Sequence, residues 1–124
     1  MAGKPWHHFA FLVGNDAYGP PLGRLTKCVQ DATDMRDCLL ELGYPRGNVR
    51  CVFDGTRDQI VDAFREFYPM VRSSPRATVF VFLAGHGLES GAENGFLGVD
   101  CVDVASVEGA GACWFFCFFS VTRW

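Results

Sequence analysis

Apolar and polar positions alternate along most of the chain in a pattern that predicts strands and helices in turn. Short apolar runs bounded by turn residues fall at 7–15, 48–53 and 77–85, and each is typical of a buried strand. Between these runs, apolar residues recur every three or four positions, which predicts two amphipathic helices. The run at 77–85 is nearly all β-branched or aromatic, so we expect a central strand covered on both faces.

Both helices have recognisable ends. The first is expected to run from Thr26 to a C-cap at Gly43. Its apolar stripe comprises Val29, Ala32, Met35, Leu39 and Leu42. The second begins with the form of a capping box, Thr56 followed three residues later by Gln59, and is expected to end at Pro69. Its buried face comprises Ile60, Ala63, Phe64 and Phe67.

The order strand, helix, strand, helix, strand predicts an α/β sandwich with a mostly parallel sheet. Ligands of such sheets bind beyond the carboxyl ends of the strands. Gly14-Asn15-Asp16 follows the first strand and Gly85-His86-Gly87 follows the third, so both loops are candidates for one site. Residues 105–124 show neither a helical period nor a strand-turn pattern, and we expect them to form an atypical aromatic-rich tail after a domain at 5–104.

The composition argues against a nucleic-acid-binding protein and against a membrane-spanning helix. The chain has 124 residues, a net charge of −3 and 49% hydrophobic residues, which indicates a single globular domain without the basic stretches that bind nucleic acid. The longest apolar stretch, 111–121, is shorter than the roughly 20 residues of a membrane helix. No signal-peptide pattern is seen, so we expect a cytoplasmic protein. None of the six cysteines forms a CxxC pair, which favours reduced thiols.

His86 is the polar residue with the clearest candidate chemistry, because it ends an apolar strand and has a glycine on each side. An imidazole suits proton transfer near neutral pH. The backbone N–H of Gly87 can be approached closely and could stabilise an oxyanion. The Gly-His-Gly motif is weak by itself, since most exposed loop histidines have no catalytic role.

Several motifs occur together and in order. These are FLVGNDAYG (11–19), PLGRLTKCVQDATDMRDCLLELGY (21–44), VFVFLAGHG (79–87) and NGFLGVD (94–100). Together they resemble the first part of the caspase-like cysteine peptidase domain (peptidase C14), particularly its metacaspase and paracaspase branch. The resemblance covers roughly residues 8–104 and implies an incomplete caspase-like three-layer sandwich, the amino-terminal part of the p20-type region.

The resemblance implies roles for three residues. His86 matches the catalytic histidine, and the Gly87 N–H would stabilise the oxyanion. Asp31, in CVQDATDM, matches an acidic residue of the P1 pocket in the branch that cleaves after Arg or Lys. Arg24 does not fall where caspases that cleave after Asp have an arginine, which favours basic P1 residues. The alternative for Asp31 is a solvated helix carboxylate.

The nucleophile of this family is not recognisable in the sequence. It should follow the histidine by about 50 residues, which lies beyond Trp124. Cys101, Cys113 and Cys117 follow His86 too closely. The chain therefore resembles part of a peptidase that acts on peptides or proteins. An inactive interaction or regulatory module that pairs with a caspase-like partner chain is the alternative, and three strands of a larger sheet would leave an open apolar edge.

No metal or cofactor is expected. Many metacaspases bind calcium through acidic residues after the histidine, but Glu89, Glu93, Asp100 and Asp103 form no recognisable ligand loop here. His7 and His8 are adjacent on a strand and point to opposite faces, so they do not suit one ion. A nucleotide-binding fragment is a third alternative, which no GxGxxG or P-loop motif supports.

Overall fold

The computed structural model describes residues 5–90 and 93–101, together with the backbone of 114–116, and it has the mixed α/β architecture expected from the sequence. A short 3-10 turn, Arg46–Asn48, precedes the second strand. The helices and strands are β1 (His7–Gly14), α1 (Cys28–Glu41), β2 (Val49–Phe53), α2 (Arg57–Arg72), β3 (Ala77–Ala84), β4 (Gly87–Ser90), β5 (Glu93–Leu97) and β6 (Trp114–Phe116).

The first sheet is parallel and has the order β2-β1-β3. Its central strand β1 is buried from Phe9 to Gly14 because a helix covers each face. Side chains alternate between the faces of a strand. Accordingly, Phe9, Phe11 and Val13 pack against α2, whereas Ala10 and Leu12 pack on the α1 side with Leu39.

The expectation that the third strand is central is wrong. β1 occupies the centre, and within the described residues β3 pairs with β1 alone. Val79, Phe80 and Val81 are consequently 43%, 37% and 39% exposed. An apolar, β-branched composition is typical of a strand that is covered by other elements. The composition does not indicate which segment of the chain covers the strand, or where in the sheet the strand lies. The open apolar edge expected from the sequence lies along β3.

Helix α1 forms where the sequence predicts it, but it begins at Cys28 and not at Thr26, and its end also differs from the prediction. Gly43 has a φ of +100°, the left-handed conformation expected after a helix. Leu42 was expected to be part of the apolar stripe and is instead 72% exposed. The helix ends at Glu41, and Leu42 is its C-cap residue.

Helix α2 has the predicted start but not the predicted end or buried face. The Thr56 hydroxyl accepts from the Gln59 N–H at 3.2 Å and the Gln59 side chain accepts from the Thr56 N–H at 3.0 Å, which confirms the capping box. The helix continues through Pro69 to Arg72. Pro69 is exposed in the last turns, where water can bond the carbonyl that lost its partner. Phe64, expected to be buried, is 39% exposed, although its ring contacts Phe11 of β1.

The second sheet is antiparallel, with the order β4-β5-β6. The sequence did not predict it. Residues 105–124 were expected to lack regular structure, yet the backbone of Trp114–Phe116 pairs with β5. A strand of three residues inside a continuous aromatic run shows no alternation that could reveal it. Within the residues that the structure describes, no helix combines the length and apolar character needed to cross a membrane.

Candidate active site at the carboxyl edge of the parallel sheet

The carboxyl ends of β1, β2 and β3 meet at one edge, here called the carboxyl edge. Gly14, the last residue of β1, lies opposite Phe53 of β2 and Ala84 of β3. The Asn15 N–H donates to the Ala84 carbonyl at 2.9 Å, and the Asp54 N–H donates to the Gly14 carbonyl at 2.9 Å. The loops that follow the three strands are therefore joined directly by main-chain hydrogen bonds.

Asn15 ties this edge to the second sheet. Its side chain is buried, and its Oδ1 accepts from the Gly55 N–H at 2.9 Å. Its Nδ2 donates to the Gly55 carbonyl at 3.1 Å and to the Leu97 carbonyl at 3.4 Å. One amide side chain thus satisfies backbone groups of the β2–α2 loop and of β5, which fixes where the second sheet sits.

Two aspartates bring the start of α1 to the carboxyl edge. The Asp16 carboxylate accepts from the N–H groups of Cys28, at 2.8 Å, and Val29, at 3.2 Å. A carboxylate at a helix N-terminus satisfies unpaired donors and matches the helix dipole. Asp54, with a φ of +50°, accepts in turn from the Asp16 N–H at 2.8 Å.

Glycine at position 14 permits this close approach of α1. A Cβ there would lie 2.9 Å from the Cβ of Ala32 and 2.9 Å from the Cα of Val29, which is shorter than real Cβ contacts. The first turn of α1 therefore packs directly on the end of β1. Residues in that turn share the carboxyl edge with the loop after β3.

His86 follows β3 after one residue and is half-buried at the carboxyl edge. Its Nε2 lies 2.9 Å from the carbonyl oxygen of Gly23, in the loop between β1 and α1. A carbonyl can only accept, so Nε2 must carry the proton of this hydrogen bond. In the neutral imidazole the proton-free nitrogen is then Nδ1. His86 is thus held in the form that can take up a proton at Nδ1.

Tyr18 is a second contact of His86, and sequence reasoning missed it. The two rings meet edge to face, with centroids 4.6 Å apart and an interplanar angle of 67°. The His86 N–H donates to the Tyr18 hydroxyl at 3.1 Å, and that hydroxyl donates to the Leu97 carbonyl at 2.8 Å. Burial raises the pKa of Tyr18, so the phenol stays neutral and can both donate and accept.

Gly87 begins β4 and is exposed. It lies opposite Phe96 of β5, while the Leu97 N–H donates to the His86 carbonyl at 3.1 Å. Hydrogen-bonded and non-hydrogen-bonded pairs alternate along an antiparallel ladder, so Gly87 and Phe96 form a non-hydrogen-bonded pair. The Gly87 N–H consequently points away from β5. An outward N–H next to an imidazole can stabilise a developing oxyanion.

Asp31 lies in the first turn of α1 and is exposed. No hydrogen bond or ion pair joins its carboxylate to His86 or to any other residue in the described part of the chain. The packing of α1 on Gly14 brings its first turn to the carboxyl edge. The structure thus brings His86 and Gly87 together and leaves Asp31 on the neighbouring element of the same edge.

The cysteines differ from the expectation of reduced thiols in one case. Cys28, Cys38 and Cys51 are free. Cys101 is fully buried and disulfide-bonded, so the expectation is wrong for this position. Disulfides depend on the distance between Cα atoms in the fold, which sequence spacing does not report. Cys113 and Cys117 lie outside the described residues.

Cys28 is the free thiol at the carboxyl edge, and its environment does not activate it. Burial raises the pKa of Cys28, and the neighbouring carboxylates of Asp16 and Asp31 raise it further. A nucleophilic cysteine needs the thiolate, which a lowered pKa provides. Cys28 is therefore held as a neutral thiol.

The acidic residues once considered for calcium have other surroundings where they are described. Asp100 accepts from the Arg57 N–H at 3.0 Å and so caps α2. Asp103 lies outside the described residues, as do the side chains of Glu89 and Glu93. Over 5–90 and 93–101, no group of three or more His, Cys, Asp or Glu residues could hold a metal ion. His8 instead lies with Nδ1 2.6 Å from the Thr78 hydroxyl.

Comparison with known proteins gives one match. A family model described as the caspase domain (Peptidase_C14) matches residues 7–113, most of the chain. The matched range includes all three loops of the carboxyl edge, together with His86, Gly87 and Asp31. No curated protein matches the chain.

Proposed function

The chain belongs to the caspase domain family, and from this premise we propose that it is the histidine-bearing part of a cysteine endopeptidase. The observation that best supports this proposal is the hydrogen bond from His86 Nε2 to the Gly23 carbonyl. That bond leaves Nδ1 as the basic nitrogen at the edge where α/β sheets bind their ligands. A main-chain carbonyl here orients the base, a part that a carboxylate takes in many other hydrolases.

The reaction follows from this geometry. Nδ1 of His86 accepts the proton of a cysteine thiol, and the thiolate attacks the carbonyl carbon of a peptide bond. The Gly87 N–H donates to the resulting oxyanion. The C–N bond then breaks, the imidazolium returns its proton to the leaving amine, and water hydrolyses the acyl-enzyme. The Gly23 carbonyl stabilises the imidazolium by accepting from Nε2–H throughout.

The thiol in this scheme comes from outside the described residues. Cys101 is buried in a disulfide and Cys28 is kept protonated, so neither suits attack on a substrate. We place the nucleophile in chain that follows Trp124 in a longer parent protein, which matches the spacing expected of the family. The base and its orienting carbonyl would then precede the nucleophile in the sequence.

The substrate is proposed to have Arg or Lys at P1. The Asp31 carboxylate is exposed, and in the described structure it has no ion-pair partner. Asp16 lies nearby, and the two carboxylates together raise the pKa of Cys28. Two carboxylates near the start of α1 favour a cationic substrate side chain over an acidic one.

The test uses the chain extended by its natural downstream sequence and fluorogenic peptides that end in Arg, Lys or Asp. We expect cleavage after Arg and Lys, and His86→Ala should lower kcat by about 10² to 10⁴-fold, the usual range for a lost general base. Asp31→Asn should lower kcat/KM for the Arg peptide by about 30-fold or more. Asp34→Asn is the matched control, since Asp34 lies in the same helix and bonds only Gln30. An inactive extended chain, or a preference for Asp, contradicts the proposal.

The open edge of β3 supports a second candidate, a non-catalytic module that pairs with a caspase-like partner. Val79, Phe80 and Val81 are exposed along this strand, and unpaired edge strands bind other strands through their main chain. Size-exclusion and pull-down experiments against a full-length family member should then show a stable complex. Val81→Lys should weaken it about tenfold or more by placing a charge on the edge, whereas Leu42→Lys, at the exposed end of α1, should not. A stable, inert monomer rules this candidate out.

A further inference from the structure

Only one of the two main-chain hydrogen bonds expected between His86 and Leu97 is formed directly. The Leu97 N–H donates directly to the His86 carbonyl at 3.1 Å. In a regular antiparallel pair, the His86 N–H would donate back to the Leu97 carbonyl. Here the Tyr18 hydroxyl stands between them, accepting from the His86 N–H at 3.1 Å and donating to the Leu97 carbonyl at 2.8 Å. The hydroxyl is thus inserted into the ladder next to the candidate base.

The surroundings of Tyr18 fix this hydroxyl in place. Tyr18 is 4% exposed and packs with Leu97 and Cys101 in a buried cluster. The absence of a side chain at Gly85 makes room, because a Cβ there would collide with the Tyr18 hydroxyl and lie 2.9 Å from the Phe96 ring. In this position the hydroxyl accepts from one main-chain group and donates to another.

The same loop supplies a third contact to His86. The imidazole lies between the edge-on ring of Tyr18, with centroids 4.6 Å apart, and the Gly23 carbonyl at 2.9 Å from Nε2. The loop that carries both is closed by hydrogen bonds from the N–H groups of Tyr18 and Leu25 to the Asp16 carbonyl, each 2.9 Å. Backbone and ring of His86 are thus both held by one segment, 16–25.

We propose that Tyr18 is a positioning residue of His86. Its hydroxyl sets the distance between the His86 backbone and β5, and its ring holds the imidazole against the Gly23 carbonyl so that Nε2 keeps the proton. The inference rests on the catalytic role proposed for His86. The positioning role of Tyr18 can be tested without enzymatic activity. A negative result for Tyr18 can therefore be distinguished from a negative result for the proposed peptidase function.

The experiment compares the ¹⁵N-labelled chain with its Tyr18→Phe and Tyr44→Phe variants by NMR. Tyr44 is the matched control, since its ring also contacts a histidine, His8, with centroids 5.4 Å apart. In the wild type we expect the ring nitrogens of neutral His86 to show one tautomer, protonated at Nε2. Tyr18→Phe removes the hydroxyl and keeps the ring, so it should speed exchange of the His86 amide proton by about tenfold or more, as expected for one lost hydrogen bond. Tyr18→Leu, which removes the ring as well, should also populate the other tautomer measurably. Tyr44→Phe should change neither signal.

Unchanged His86 signals in a folded Tyr18→Phe variant overturn the inference. If that variant does not fold, NMR of the wild type provides the test. A Tyr18 hydroxyl proton that exchanges slowly and shows a cross-peak to the His86 amide supports the inference. The absence of such a proton signal overturns the inference. In the extended peptidase, Tyr18→Phe should lower kcat with little change in KM. An extended chain that shows no activity contradicts the proposed function alone, because the NMR result stands independently.

Discussion

Side chains at the carboxyl edge bond mainly to main-chain groups. Asn15 bonds Gly55 and Leu97, Asp16 bonds the start of α1, and Tyr18 bonds His86 and Leu97 through backbone atoms. Backbone groups in sheets and helix ends have fixed positions, so side chains that bond to them are positioned accurately. His86 is oriented by this framework and not by a neighbouring carboxylate.

Asn15→Ala should lower the free energy of unfolding by about 2 to 3 kcal/mol, because it leaves the buried Gly55 N–H without a partner and removes the bonds to the Gly55 and Leu97 carbonyls. Urea denaturation followed by circular dichroism measures the change. Asn48→Ala is the control, since Asn48 makes one exposed hydrogen bond to the His8 carbonyl and should cost less than about 1 kcal/mol. Equal losses in both variants would argue against a special role for Asn15.

The sequence located His86 but not the residues that hold it. A strand that ends in Gly-His-Gly is a local pattern, readable without knowledge of the fold. The bonds from Asn15 and Tyr18 to Leu97 span 82 and 79 positions. Which backbone group such a side chain meets depends on how two sheets pack, and no local pattern reports that.

Helices α1 and α2 begin with caps of different origin. The cap of α2 is local, since Thr56 and Gln59 lie within one turn. The N-cap residue of α1, Lys27, offers no side-chain hydrogen bond, and Asp16 from the preceding loop caps this helix instead. Local capping explains why the start of α2 could be predicted from the sequence, whereas the cap of α1 could not.

Thr56→Ala should lower the free energy of unfolding by about 1 kcal/mol through loss of the capping box. Thermal and urea unfolding measure this loss. Thr33→Ala serves as the control, because the Thr33 hydroxyl donates within α1 to the Val29 carbonyl, a bond that adds little to helix stability. A control variant that loses as much as Thr56→Ala would remove the capping explanation.

Strand identity was easier to predict than strand position. The three apolar runs became β1, β2 and β3 within a residue or two. The central place of β1, by contrast, results from α1 and α2 covering its two faces, which is a tertiary property. The strands of the second sheet have four, five and three residues, too few for a two-residue period to stand out.

In the part of the chain that the structure describes, three weakly acidic side chains hold their protons more tightly when the protein is folded. Burial is the largest cause that raises the pKa of Tyr18 above 10.0 and the pKa values of Cys28 and Cys51 above 9.0. For a group with a raised folded-state pKa, its contribution to stability is complete below the unfolded value. That contribution is lost as the pH rises through the folded value.

The free energy of unfolding should therefore fall as the pH rises from 8 towards 11, with a slope of at most about 1.4 kcal/mol per pH unit for each proton involved. Urea titrations at several pH values measure the slope. A Cys51→Ala variant should reduce the slope at pH 9 to 10, and Cys38→Ser, which changes an exposed thiol, should leave it unaltered. A free energy of unfolding that stays constant or rises between pH 8 and 11 would contradict the raised pKa values of Tyr18, Cys28 and Cys51.

The central position of β1 also determines when the sheet can form during synthesis. β1 leaves the ribosome before both of its neighbours, and one of them, β3, begins 70 positions later, with His7 opposite Ala77. Until Ala84 has emerged, one edge of the most buried strand has no partner, and contacts between distant positions are slow to form. A nascent chain paused before that point leaves main-chain N–H and carbonyl groups of β1 unpaired along one edge, and in this interval we expect chaperones to bind the chain.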